Sequence, residues 1–228
     1  MTNVPRSDQF DDVYFSVQDG LAETNHVFLD GNNLPDSWLA KKNFTICETG
    51  FGTGLNFLAV LKLWLDSPED KRPNNLHFIS FEKYPLSKEY IKENLSVWGE
   101  LATSLDMLLS KYPFDLECKN HELDIADGVI LTLIIGDVNE QIPFLENPVD
   151  CWFLDGFKPS SNPDMWSDII FENMARLSRE GSSFATFTAA GFVRRGLLAQ
   201  GFDVRKVRGF GRKREMIVGN YSGDNKCA

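Results

Sequence analysis

Apolar residues in this chain fall into short runs separated by polar turns, and two spacings alternate. The run at 44–47 (Phe-Thr-Ile-Cys) closes on Glu48, glycines follow at 50, 52 and 54, and an apolar segment with helical spacing fills 55–65. That order predicts strand, glycine loop and helix. The runs at 77–81 (ending at Glu82), 129–135 (ending at Gly136-Asp137), 151–154 (ending at Asp155) and 183–187 are short and continuous, so they predict strands buried on both faces. Helical patterns lie between them: 88 to about 98 with Ser87 as cap, about 165–178, and 192–200. Segments 202–207 and 215–218 predict a closing antiparallel pair around the Gly209-Phe210-Gly211 turn. Such β-α-β alternation predicts an α/β fold, a mostly parallel sheet of seven strands with helices on both faces.

Residues 10–34 precede the first of these strands. The stretches 12–17 and 26–29 predict a hairpin around Gly20, followed by the Gly31-Asn32-Asn33 turn. Such a segment either covers a ligand as a flap or forms an edge hairpin. The chain then divides into an N-terminal extension (1–36), one α/β domain (37–220) and a polar tail (221–228), which suits 228 residues. No apolar run approaches the ~20 residues that span a bilayer, and the first nine residues lack a signal peptide's apolar core. A cytoplasmic enzyme is expected. Cys47, Cys118, Cys151 and Cys227 show no C-x-x-C spacing and read as reduced, mostly core residues. His26, His77 and His121 are scattered, so no metal site is expected.

A net charge of −10 argues against a nucleic-acid partner until its distribution is considered. From Arg194 to Arg214 there are eight basic residues (Arg194, Arg195, Arg205, Lys206, Arg208, Arg212, Lys213, Arg214) and one acid, Asp203, a local charge of +7. One edge of an otherwise acidic molecule can thus hold a phosphate backbone, or is simply a solvated basic face.

The loop 46–54 reads Ile-Cys-Glu-Thr-Gly-Phe-Gly-Thr-Gly. A dinucleotide fingerprint requires G-x-G-x-x-G; counted from Gly50, its third glycine is replaced by Leu55, which leaves an NAD-dependent dehydrogenase as a remote alternative. The E-x-G-x-G-x-G form, Glu48 to Gly54, resembles motif I of class I S-adenosylmethionine-dependent methyltransferases, where the acid sits near the ligand's amino group and the glycines pass its amino-acid part. The alternative is a structural turn without a ligand. Glu48 has no foreseeable partner unless the ligand brings a cation or donor. Glu48, Glu82, Asp137 and Asp155 all stand at strand ends, where open α/β sheets bind ligands, and four acids together suit a ligand rich in hydroxyls, amines or positive charge. The resemblance gives Glu82 the ribose hydroxyls and Asp137 the adenine side, and extends the cofactor set to Gly50, Gly52, Gly54, Asn56 and Asp155. As solvated strand ends, Glu82 and Asp137 would need no ligand.

Asp155 opens Asp-Gly-Phe-Lys-Pro-Ser-Ser-Asn-Pro-Asp-Met-Trp, ending at Trp166. Amino-directed methyltransferases carry an Asp or Asn, then Pro and an aromatic, at this strand end; here the acid and the aromatic are kept as Asp155 and Phe157. An oxygen there accepts an N–H and aims the amine's lone pair, while the ring packs on the base. A carboxylate also favours the ammonium form, whose pKa is near ~10, so desolvation and the adjacent sulfonium must help remove the proton.

Taken with Asp11–Ser16, Gly20–Glu23, Val27–Asn32 and Gly209–Met216, these motifs make the chain similar, from about Asp11 to Val218, to the methyltransferase domain of the MnmC family, bacterial bifunctional enzymes that make 5-methylaminomethyl-2-thiouridine in tRNA. The resemblance implies the class I, Rossmann-like fold and methyl transfer from S-adenosyl-L-methionine to 5-aminomethyl(-2-thio)uridine at the wobble position of the tRNA anticodon loop. Asp155 and Phe157 would be catalytic, with Trp166, Arg194, Arg195, Arg212, Lys213 and Arg214 on the substrate. The common family form continues into an FAD-dependent oxidase; no second dinucleotide loop is present, so no FAD is expected in this chain, and that oxidase would be separate or fused. A class I methyltransferase acting on a small-molecule or protein amine is the alternative, and a nucleotide- or tRNA-binding module without catalysis is the third reading.

Overall fold

The computed structural model describes residues 5–7, 11–15, 19–113 and 120–223. Eight strands form one sheet: β1 (Asn43–Glu48), β2 (Asn75–Glu82), β3 (Asn120–Ala126), β4 (Val129–Ile135), β5 (Val149–Phe153), β6 (Ser178–Thr186), β7 (Phe202–Arg208) and β8 (Glu215–Tyr221). Their order is β3-β4-β2-β1-β5-β6-β8-β7. The five strands from β4 to β6 run parallel, with Ile46 opposite both Phe78 and Cys151. β8 is antiparallel to β6 and to β7, and β3 is antiparallel to β4. Successive strands leave β1 in opposite directions, through β2 on one side and β5 on the other, so a crevice opens above the β1/β5 junction.

Residues of the central strands enter two separate cores by turns. Ile46, Phe78 and Phe153 pack into one, with α2 (Leu55–Asp66) and Trp38. Cys47, Ile79, Trp152 and Phe184 pack into the other, with Ile170, Phe171 and Met174 of helix Asp168–Leu177. Period-two alternation between two buried faces is what the continuous apolar runs imply.

Three sequence expectations need correction. The sheet has eight strands rather than seven. The additional one, β3, alternates exposed and half-buried residues until Ile125 and lies at an edge, so it carries little of the apolar signal. The predicted strand 26–29 is helical. Asp19 accepts a hydrogen bond from the Ala22 amide (3.0 Å) and caps α1 (Gly20–Thr24), which continues as a π turn through Leu29 and a 3₁₀ turn through Asn32. Leu21, Thr24, Val27, Phe28 and Asn32 are buried at helical spacing, a pattern that defeats a hairpin. The antiparallel pairing in this region is instead the two-rung contact of Arg6–Ser7 with Asp12–Val13. The helix expected at 165–178 divides into a 3₁₀ turn, Pro163–Trp166, and the helix capped by Ser167; the chain enters β6 at Ser178. A helix absent from the sequence reading, Ala102–Lys111, packs beside α2 through Leu105, Leu108 and Leu109. Cys47 and Cys151 are buried free thiols; Cys118, Cys227 and the tail from 224 lie outside the described residues.

Candidate active site

β1 ends on Glu48 and β5 leads into Asp155, which lines the crevice while Glu48 stands behind it, and the glycine loop follows Glu48. Thr49 Oγ1 donates to the Asp155 carbonyl at 2.6 Å, which ties the two loops together. Gly52 and Gly54 have φ of +53° and +81°, the left-handed region that side chains resist. A Cβ on Gly54 would stand 2.7 Å from the Phe51 ring, and one on Gly52 3.3 Å from Tyr14. The turn therefore requires glycine at both positions, and it leaves the loop backbone bare toward the crevice.

Each strand-end acid is held differently. Glu82 accepts from the Gly52 amide (2.7 Å) and the Tyr84 amide (2.7 Å), so its carboxylate is fixed at the cavity wall; burial pushes its pKa up against those donors. Asp137 caps a short helix, Val138–Gln141, through the Asn139 amide (2.9 Å), and pairs with Lys83 at 2.8 Å. Burial works against its charge, but Lys83 and Asn139 keep its pKa below the ordinary value.

Glu48 corrects the expectation that it needs a ligand to pair with. It is fully buried and accepts from Asn56 Nδ2 (2.7 Å) and Ser80 Oγ (2.7 Å). The same Asn56 amide group donates to Asp155 Oδ2 at 2.6 Å, and Asn56 Oδ1 accepts from Thr24 of α1 at 2.8 Å. Both amide protons and the amide oxygen are therefore committed, which fixes the orientation of Asn56 between the two acids. Burial first, and then the Asp155 charge, pushes Glu48 well above the carboxylate range. Burial likewise raises Asp155 to about 6, opposed by hydrogen bonds from the Gly156 amide and Asn56.

One cavity of about 1130 Å³ gathers these groups. It exceeds the usual span of roughly 300–1,000 Å³ for a single small-molecule pocket. Gly50, Gly52, Asn56, Glu82, Asp137, Asp155 and Phe157 line it, together with Arg212 and Lys213. Glu48 stands behind Asn56, and Gly54 serves the turn into α2. Trp166 is 4% exposed and outside the wall; its indole donates to the Phe157 carbonyl at 3.2 Å and meets Phe187 edge-on, so it props the Asp155 loop. Arg194, Arg195 and Arg214 are exposed beyond the cavity. The wall also includes residues that had no site role in the sequence analysis. Tyr14, Glu23 and Thr24 come from the N-terminal segment, and Phe187 follows β6. For Thr24 the signal was available: it falls on the buried helical stripe with Leu21 and Phe28.

The N-terminal segment closes one side of the crevice. Asp12 Oδ2 accepts from the Lys158 amide (3.1 Å), and Tyr14 meets Phe157 edge-on at 5.4 Å. Among the described residues no cluster of His, Cys, Asp or Glu is arranged to hold a metal ion, and no helix is long and apolar enough to cross a membrane.

Comparison with known proteins agrees with this geometry. Residues 99–222 match the family described as S-adenosyl-L-methionine-dependent methyltransferase, a span that includes Asp137 and Asp155. The tRNA 5-methylaminomethyl-2-thiouridine biosynthesis bifunctional protein MnmC of Vibrio cholerae serotype O1 is 51% identical over 229 residues, covering 96% of this chain and 34% of its own length. Its counterpart from a Marinomonas species is 50% identical, covering 96% and 32%. The chain thus spans about one third of the length of these relatives. The crystal structure of MnmC2 from Aquifex aeolicus superposes with a TM-score of 0.75 at 25% identity, over 96% of this chain and 66% of that one. Spermidine synthase from Thermotoga maritima shares only the fold (TM-score 0.52, 11% identity, 99% and 73% covered). The chain therefore belongs to the S-adenosyl-L-methionine-dependent methyltransferase family and is similar to MnmC proteins along nearly its whole length.

Proposed function

We propose that this chain transfers a methyl group to the primary amine of 5-aminomethyl(-2-thio)uridine at the wobble position of tRNA. The observation that carries the reading is the placement of Asp155: it shares one cavity with the glycine loop, Glu82, Arg212 and Lys213. The names of the relatives, which specify biosynthesis of the methylated nucleoside in tRNA, support the same substrate.

The residues present fit the cofactor. Gly50 and Gly52 line the cavity without side chains, where a Cβ would come within 3.2 Å of Met165 and 3.3 Å of Tyr14, and Glu82, each of whose oxygens accepts one backbone amide, keeps acceptor capacity for a vicinal diol. S-adenosyl-L-methionine supplies an electrophilic methyl group on a positively charged sulfur. Gly50, Gly52, Glu82 and Asp137 would hold it, Gly54 would shape the loop, and Glu48 would act through Asn56, which orients Asp155.

Asp155 has the central chemical role. Ionised above about pH 6, it accepts an N–H of the amine, aims the nitrogen lone pair at the methyl carbon and can receive the proton that the amine must lose. Because an alkylammonium titrates near ~10, transfer to Asp155 is uphill by several pK units in water; exclusion of water by Tyr14 and Phe157 reduces the difference. Phe157 supplies an aromatic face for the extruded base, since wobble-base chemistry requires the base out of its stack. Arg194, Arg195, Arg212 and Arg214 would meet phosphates, Lys213 being held by Glu23, and Trp166 would support the base pocket from behind.

Residues 1–36 would act as a flap on the domain at 37–220. In the bifunctional relatives the companion activity would be the FAD-dependent oxidase that exposes the amine. Work on tRNA would place the protein in the cytoplasm. The test is incubation with labelled S-adenosyl-L-methionine and tRNA from cells lacking this modification but retaining the aminomethyl group, followed by digestion and identification of the labelled nucleoside. Label in 5-methylaminomethyl(-2-thio)uridine is expected; label only on a free small-molecule or protein amine would replace the tRNA reading with the broader one.

A further inference from the structure

Two charged side chains in the cavity are engaged with each other. Lys213 Nζ lies 2.8 Å from Glu23 Oε1 and 4.5 Å from the centre of the Phe187 ring. Glu23 keeps 15% of its side-chain exposure, whereas Lys213 keeps 48%, so the carboxylate belongs to the wall and the lysine reaches in from outside. Glu23, Phe187 and Lys213 line the cavity together with Asp155. Glu23 and Lys213 also act on the Asp155 carboxyl in opposite senses, the first raising its pKa and the second lowering it.

The ring and the backbone beside Glu23 are fixed in place. Glu23 precedes Thr24, whose hydroxyl is bonded to Asn56, the residue that holds Asp155. The Phe187 ring is braced by Trp166, and Trp166 by the Phe157 carbonyl. Lys213 differs, being a primary ammonium on a flexible four-carbon stem in an exposed turn. A carboxylate at hydrogen-bond distance with an aromatic face beside it is an arrangement that binds an alkylammonium.

We propose that Glu23 and Phe187 form the subsite that receives the substrate's primary ammonium, and that Lys213 occupies this subsite as a displaceable stand-in until the substrate enters. The inference rests on the reading above, that the acceptor is a primary amine carried on tRNA. The exchange is ammonium for ammonium, so the half-buried carboxylate is never left unpaired. A uridine lacking the amine brings no cation to displace Lys213, so the subsite selects for the aminated base by charge.

The test compares affinities for tRNA carrying 5-aminomethyluridine and for the same tRNA with unmodified uridine at that position, with S-adenosylhomocysteine bound. The wild type should prefer the aminated tRNA. Glu23→Gln should collapse that preference by about tenfold, the loss expected for a charged hydrogen-bond partner, while affinity for S-adenosylhomocysteine is unchanged. Lys213→Met removes the competitor from an exposed turn, without disturbing the core, and should widen the preference severalfold. An unaltered preference in Glu23→Gln, no preference in the wild type, or a narrowing by Lys213→Met equal to that of Glu23→Gln would each overturn the proposal; the last would mark the ion pair as a mere tie between α1 and the turn. Failure of the underlying reading looks different: the wild type then transfers no methyl to the aminated tRNA.

Discussion

Asp155 gathers the strongest demands on any single residue here. Its carboxyl is raised to about 6 from a reference of 3.8, so folding favours the protonated form. The stability it contributes is fully present below about pH 4 and lost as pH rises through about 6, whereas the proposed chemistry needs the ionised form. The expected kcat/KM therefore falls as pH drops below about 6. Asp155→Asn should flatten that acid limb, because the amide does not titrate, although it can satisfy only one of the two donors, Asn56 and Gly156, that now point at the carboxylate. The pH profile of both proteins checks this. The cofactor side has its own single-residue test. Gly52→Val combines a disfavoured φ with a clash against Tyr14, and should abolish S-adenosyl-L-methionine binding in calorimetry. Glu82→Ala should weaken it by about 1–3 kcal/mol. Normal affinity in both would separate this cavity from the cofactor.

At the level of elements, α1 governs the site from outside the parallel sheet. Thr24→Val leaves Asn56 Oδ1 without its donor and loosens the amide that donates to both acids. A loss of about 1–3 kcal/mol in stability is expected for the unsatisfied acceptor, with kcat falling more than cofactor affinity; equal losses would show that α1 merely covers the cavity. β7 and β8 offer a purely structural comparison. A Cβ on Gly219 would lie 1.8 Å from the Asp203 carbonyl, so Gly219→Ala should lower stability by about 1–3 kcal/mol or more, read as a drop in Tm. These elements also show what the sequence could and could not disclose. The parallel strands and the acids at their ends were legible because a strand buried on both faces is apolar throughout, and because glycine at left-handed positions leaves a fixed spacing. β3 was not, since an edge strand with one polar face resembles a loop. The π turn after α1 suggests a hairpin strand because 26–29 is a short apolar run, which suits either element until its neighbours at helical spacing are counted. The Asn56 bridge was out of reach, as it depends on an interaction between residues 99 positions apart.

Across the whole molecule, charge is divided between an acidic body and the basic segment from Arg194 to Arg214. Lys206 and Lys213 are engaged with Glu215 and Glu23, whereas the arginines of the segment, Arg194, Arg195, Arg205, Arg208, Arg212 and Arg214, form no ion pair among the described residues. Under the proposed function Arg194, Arg195, Arg212 and Arg214 neutralise tRNA phosphates. Replacing all four with Ala should weaken tRNA binding and flatten its salt dependence by about 0.7–0.9 for each phosphate no longer neutralised, with cofactor affinity intact; an unchanged slope would show that tRNA docks elsewhere. In the proposed reaction one cavity joins the cofactor to an amine on tRNA through Asp155. Its most direct measurement is single-turnover methyl transfer at saturating S-adenosyl-L-methionine, with tRNA bearing or lacking the aminomethyl group, in the wild type and in Asp155→Ala. Transfer only to the aminated tRNA is predicted, slowed by about 10²–10⁴ in the variant. Transfer that ignores the amine, or proceeds undiminished without Asp155, would contradict it.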